Sequence, residues 1–119
     1  MWLFTPFGYF SIVQKPGDAK DGMLTVRARF AGDLDALRTR HLATLGVVHY
    51  DPTHNDYAYR ARAPKADVAQ AIAATVNAID YDNFKHEVSQ VQGHGRSDIY
   101  MRVWSVLKSA QDALTRAAR

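Results

Sequence analysis

Two short stretches, LTVRARF (24–30) and YAYRARAP (57–64), alternate residue types with a period of two. They constrain the fold more than any other feature of the chain. In the first, Leu24, Val26, Ala28 and Phe30 point one way and Thr25, Arg27 and Arg29 the other. In the second, Tyr57, Tyr59, Ala61 and Ala63 oppose Ala58, Arg60 and Arg62. A strand that is apolar on one side and cationic on the other needs a core against one face and water or a partner against the other. Both stretches are therefore strands of a sheet covered on one face. Met1–Thr5 and Tyr9–Lys15 read as two further strands joined at Pro6-Phe7-Gly8 into a hairpin. PGDAKDG (16–22) is a polar loop, Val47–Tyr50 a short strand, and DPTHND (51–56) a turn.

Helical spacing takes over elsewhere. Gly32 or Asp33 is placed to cap a helix that runs to His41 or Leu42, with Leu34, Leu37 and Leu42 on its apolar side. Pro64 suits a helix start, and Val68, Ile72, Val76 and Ile79 follow at intervals of four, four and three. Phe84, Val88 and Val91 make a shorter helix. QGHGRSD (92–98) reads as a loop, after which Ser97 or Asp98 caps a last helix striped by Tyr100, Val103, Trp104, Leu107 and Leu114. The order β-β-β-α-β-β-α-α-α predicts a single α+β domain over residues 1–119, an antiparallel sheet with helices on one face. A ferredoxin-like core with an extra N-terminal hairpin and extra C-terminal helices is the expected arrangement.

The 119 residues are 47% hydrophobic and 23% charged, enough apolar material for a core without staples. There is no cysteine, which excludes disulfides, thiolate catalysis and cysteine zinc sites and fits a reducing compartment. The opening MWLFTPFGYF has no basic n-region or cleavage site, and no apolar run approaches the roughly 20 residues of a membrane span. A cytoplasmic protein is expected. The net charge of +3 is compatible with a nucleic-acid partner without requiring one.

Candidate functional residues fall in two groups. If the two alternating strands share a sheet, Arg27, Arg29, Arg60 and Arg62 line one face. Tyr9 or Phe10 and His49 or Tyr50 are placed to add aromatic surface. Basic sheet faces with stacking rings bind RNA, although no RNP-like motif is present. The competing reading ties these arginines to carboxylates such as Asp80. The second group lies in AIDYDNFKHEV (78–88), a corner between helices in which Asp82 is placed as an N-cap. What the corner leaves over, Asp80, Tyr81, Asn83 and His86, can converge with the strand arginines to hold a small ligand or move a proton.

No metal and no cofactor are expected. The five histidines show no helical i, i+4 pair. His49, Asp51, His54 and Asp56 crowd one turn, where they could bind a divalent ion weakly, but such residues are far more often simple loop polar groups. GHGR (93–96) lacks the Lys-Ser/Thr pair of a phosphate loop. Trp2, Phe4, Phe7, Tyr9 and Phe10 are too many rings for one face of a hairpin, so a second subunit is expected to cover some of them.

The chain resembles a group of short bacterial proteins with no assigned activity. The likeness rests on MWLFTPFGYFSIV, DYAYRARAP, IDYDNFKHEV and YMRVWSVL, and spans most of Met1 to Leu107. It implies a free-standing protein and no particular chemistry. The function expected from the residues is a small cytosolic binding or regulatory module, homodimeric. The first alternative is a nucleic-acid-binding sheet that uses the four arginines. The second is a small enzyme or ligand site around Asp80, Tyr81 and His86.

Overall fold

The aromatic opening folds back on itself. β1 (Trp2–Thr5) pairs antiparallel with β2 (Gly8–Val13) across Pro6-Phe7. The buried Thr5 hydroxyl holds this turn: it donates to Gly8 O at 2.8 Å and accepts from the Phe7 and Gly8 N–H groups at 3.2 and 3.0 Å. The structure, a computed structural model, describes residues 1–53 and 56–118. It divides into two compact units, Met1–Asp80 and Tyr81–Arg119.

The first unit is an α+β layer. After a single turn of helix, α1 (Asp18–Asp21), come β3 (Met23–Ala28), α2 (Asp33–Arg40), β4 (His49–Tyr50), β5 (Tyr59–Pro64) and α3 (Lys65–Asn77). The sheet runs β1-β2-β3-β5-β4, with every neighbouring pair antiparallel. The register sets Trp2, Ser11, Arg27, Arg60 and His49 in one row across all five strands. The next row, Ile12, Val26 and Ala61, faces the other way. That second face is the core: Phe10, Ile12, Val26, Ala28, Ala61 and Ala63 pack with Leu34 and Leu37 of α2 and Val68 and Ala71 of α3. The alternation is realised over 24–28 and 59–63, but Tyr57, expected on the apolar side, lies before β5 with its ring under Arg27 and Arg29 on the basic face. Several boundaries differ: β2 ends at Val13, β3 at Ala28 and α2 at Arg40, β5 begins at Tyr59, and β4 holds only His49 and Tyr50. α3 includes Val76 but stops at Asn77, before Ile79, and both of these apolar residues are exposed.

The second unit is a helical hairpin, α4 (Phe84–Gln92) and α5 (His94–Ala117). The loop expected over 92–98 contracts to Gly93, whose φ of 94° is open to glycine and strained for other residues. The chain can therefore reverse at one residue, and α5 starts at His94 rather than after Ser97. Ser97 is instead buried, its hydroxyl 3.5 Å from Lys85 O, and the Phe84 ring stacks on Tyr100 at 5.8 Å. Among the described residues no helix is long and apolar enough to cross a membrane.

The N-cap of α4 is Asn83, not Asp82. Asn83 has the extended backbone of a cap, and its Oδ1 accepts the His86 N–H at 2.9 Å. Aspartate and asparagine cap about equally well, so the position of the first helical turn decides between these adjacent residues. Asn83→Ala is expected to lower stability by about 1 kcal/mol. Asp82→Ala should cost less than half of that. Urea unfolding followed by circular dichroism ranks the two, and the reverse order would return the cap to Asp82.

Candidate functional site

β3 and β5 are sheet neighbours with their basic positions on the same face. Arg27 lies opposite Arg60, and Thr25 opposite Arg62. The arginines separate into two clusters with different partners.

Arg62 turns toward α1. Its Nε donates to Asp18 Oδ1 at 2.9 Å and its terminal nitrogen to Asp21 Oδ2 at 3.1 Å. Asp18 is buried, and its Oδ2 also accepts from the Lys15 N–H and the Thr25 hydroxyl, each at 2.8 Å. Burial works against the charged carboxylate, but the hydrogen bonds from Lys15, Thr25 and Arg62 outweigh it and hold its pKa below the ordinary range. This cluster fastens the one-turn helix to the sheet.

Arg27, Arg29 and Arg60 converge on Asp56 and Tyr57, just before β5. Arg27 and Arg60 reach the two Asp56 carboxylate oxygens at 3.4 and 3.0 Å, and Arg29 donates to the Asp56 carbonyl at 2.5 Å. Arg27 also donates to Ser11 Oγ at 2.7 Å, while its Nε is buried without a partner among the described residues. The Arg27 and Arg29 guanidinium groups lie 4.5 and 4.2 Å from the centre of the Tyr57 ring, within cation–π range. The Tyr57 hydroxyl shares a hydrogen bond of 2.9 Å with that of Tyr9, and both rings are buried. Phe4 stacks on Tyr9 at 4.5 Å, and Trp2 meets Tyr9 edge-on while remaining 69% exposed.

The electrostatics of this cluster are lopsided. Three guanidinium groups face one carboxylate, a net of two positive charges. The Tyr57 N–H, with Arg60 and Arg27 behind it, holds the Asp56 carboxyl below its usual range despite some desolvation. Burial raises the Tyr9 hydroxyl, helped by its bond to Tyr57. For Tyr57 burial is outweighed by the bonds to Tyr9 and Ser11 and by Arg29 and Arg27, and its pKa falls. The result is a positively charged cluster with a polarised pair of hydroxyls at its centre.

The other candidates lie elsewhere. Asp80 is exposed at the end of the first unit. Tyr81 opens the second unit, half-buried, with its ring 6.3 Å from that of Phe84. His86 is exposed on a shallow groove of about 340 Å³ shared with Asn83, Lys85, Ser89, His94 and Asp98. The carboxylates that meet the arginines are Asp18, Asp21 and Asp56, the role the sequence suggested for Asp80. Of the proposed rings, Tyr9 joins the site and Phe10 lies in the core. His49 shares the row of Arg60, and Tyr50 packs on Tyr59. Among the described residues no three histidine or carboxylate groups are placed to hold a metal ion; His54, from the proposed turn cluster, lies outside them.

Sequence reasoning did not single out Asp56, Tyr57 or Ser11 for this site, nor Asp18 for the structural pair. The one signal was that DPTHND ends on an aspartate directly before the arginine-bearing strand. No protein-family model, curated protein or solved structure matches this chain.

Proposed function

We propose that this protein is a small cytosolic binding module, homodimeric, which recognises an anionic ligand through Arg27, Arg29 and Arg60. The observation that supports this most is the convergence of three guanidinium groups on Asp56, two on its carboxylate and that of Arg29 on its backbone carbonyl. Uncompensated positive charge on one face attracts anions, and arginine forks suit phosphate and carboxylate groups. Arg62 is left out of the ligand face because Asp18 and Asp21 engage it.

The nucleic-acid reading stands second, favoured by the exposed Trp2 ring beside the same face. The enzyme reading around Asp80, Tyr81 and His86 has weaker support, because Asp80 and His86 are exposed and the Tyr81 ring lies against Phe84. The proposal includes the kinship with short bacterial proteins. It also takes β3-α2-β4-β5-α3 as a ferredoxin-like core, with β2 in the place of its fourth strand. What supports this is the antiparallel order β2-β3-β5-β4, with α2 and α3 packed on one face. On this reading β1, α4 and α5 are additions.

Fluorescence anisotropy with a labelled single-stranded RNA, and with tripolyphosphate as competitor, tests the ligand class. Binding should weaken with salt, and Arg29→Ala should weaken it roughly tenfold, since each phosphate contact carries part of the electrostatic affinity. Arg62→Ala should instead lower the melting temperature. Salt-independent binding, or none of either anion, would overturn the proposal. If Trp2→Ala also abolishes RNA binding and tripolyphosphate does not compete, the nucleic-acid reading takes first place.

A further inference from the structure

We infer that the exposed apolar face of α5 is where a second copy of this chain docks. This rests on the homodimer reading above and names the surface that forms the dimer. α5 has 24 residues and α4 has 9. At 1.5 Å per residue these are about 36 and 14 Å long, so α4 covers only the first part of its partner. Tyr100, which lies within that part, is buried. Beyond it the helix carries Val103, Trp104, Leu107 and Leu114, of which the last three are 54, 66 and 72% exposed.

The pattern is that of a helix seam. Tyr100, Val103, Leu107, Ala110 and Leu114 follow at intervals of three, four, three and four, the heptad spacing of helices that pack on helices. At 100° per residue, Arg102, Lys108, Asp112 and Arg116 all lie about 100° or more around the helix from Leu107. Lys108 and Asp112 pair with each other on that outer side.

These two facts select the occupant. In a two-fold dimer the same patch meets itself, residue i against j and j against i, so an uncharged apolar patch is its own complement. This face carries no charge, although the chain as a whole is at +3. An acidic or basic partner would find nothing on it to pair with. The exposed parts of Ile99, Val103, Trp104, Leu107 and Leu114 leave on the order of 500 Å² of apolar surface in water. That is at the upper end of the largest apolar patch a monomer commonly exposes, and approaches the ~800 Å² per partner of a standard interface. Ala110, small and central, lets two helices approach closely.

The test is light scattering on the full chain at tens of micromolar, with the double variant Leu107→Glu/Leu114→Glu beside it. Both leucines are exposed within the chain, so the variant should keep its helical circular dichroism. The expected result is a dimer whose dissociation constant rises at least ~100-fold in the variant, because the glutamates would be buried without a partner of opposite charge. A monomeric parent chain would sink both this inference and the homodimer reading. A dimer that survives both glutamates would sink the α5 interface and leave the homodimer standing. A third arm measures Trp104 emission in a Trp2→Phe background with vesicles of phosphatidylglycerol and phosphatidylcholine. A blue shift on vesicles from a monomeric chain would give the face to a lipid surface instead.

Discussion

Phe10→Ala is expected to cost about 3–5 kcal/mol, a large share of the stability of a domain this size. The ring is wholly buried in the central part of β2 and belongs to the layer that α2 and α3 cover. Truncation removes the transfer free energy of the ring and leaves a void that the surrounding strands cannot close. The site also explains Gly8. A Cβ there would sit 2.8 Å from Phe10 Cζ, closer than real contacts allow, and 3.0 Å from Asp33 Cγ, which is tight. Asp33 is held in place because its Oδ2 accepts the Tyr9 N–H at 3.0 Å, tying the start of α2 to β2. Gly8→Ala should therefore destabilise on its own by overpacking. In the Phe10→Ala background the closest of these contacts is gone and only those to Asp33 remain, so the double variant should lose less than the two single losses combined. Chemical denaturation of the four proteins measures the coupling. Strict additivity would show that Phe10 does not oppose a side chain at Gly8.

Asp18→Ala should cost about 3 kcal/mol, because one buried carboxylate serves three donors: the Lys15 N–H, the Thr25 hydroxyl and Arg62. Asn at this position keeps an acceptor for some of them and should fall between. The same group gives stability a pH dependence. Its folded pKa is depressed below the unfolded value. The stabilisation is therefore fully present above the unfolded pKa, near pH 4, and is lost as pH falls through the folded pKa. The parent chain should lose stability below about pH 4 more steeply than Asp18→Asn, while Asp56, depressed as well, adds a slope common to both. Melting curves from pH 7 down to 2.5 show the difference. Parallel curves would mean that Asp18 does not carry the acid sensitivity.

Much of this architecture was legible in the chain because its signals are local. Period-two alternation placed Arg27 with Val26 and Ala28 behind it, and Arg60 and Arg62 with Ala61 and Ala63 behind them. The spacing of Leu34 and Leu37, and of Val68 and Ile72, gave the covering helices. Helix boundaries were less secure. Asp82 and Asn83 are both good caps, and only the backbone of the first turn chose between them. Gly93 reverses the chain alone because a positive φ is open to glycine, where composition by itself suggests a longer loop.

The partners of the arginines were not legible, because pairing depends on register and on where a loop returns. Arg27 meets Arg60 only because β3 and β5 align at that residue. Asp56 serves both because its turn comes back over the same face, 29 residues along the chain from Arg27. Asp18 reaches Arg62 across 44 residues. The sequence by itself determined which residues are apolar, which are charged and with what period, and hence the strands, the helices and the two kinds of sheet face. Which carboxylate neutralises which arginine, and where positive charge is left over, was decided by tertiary structure alone, since charges separated along the chain interact only where the fold brings them within a few ångströms.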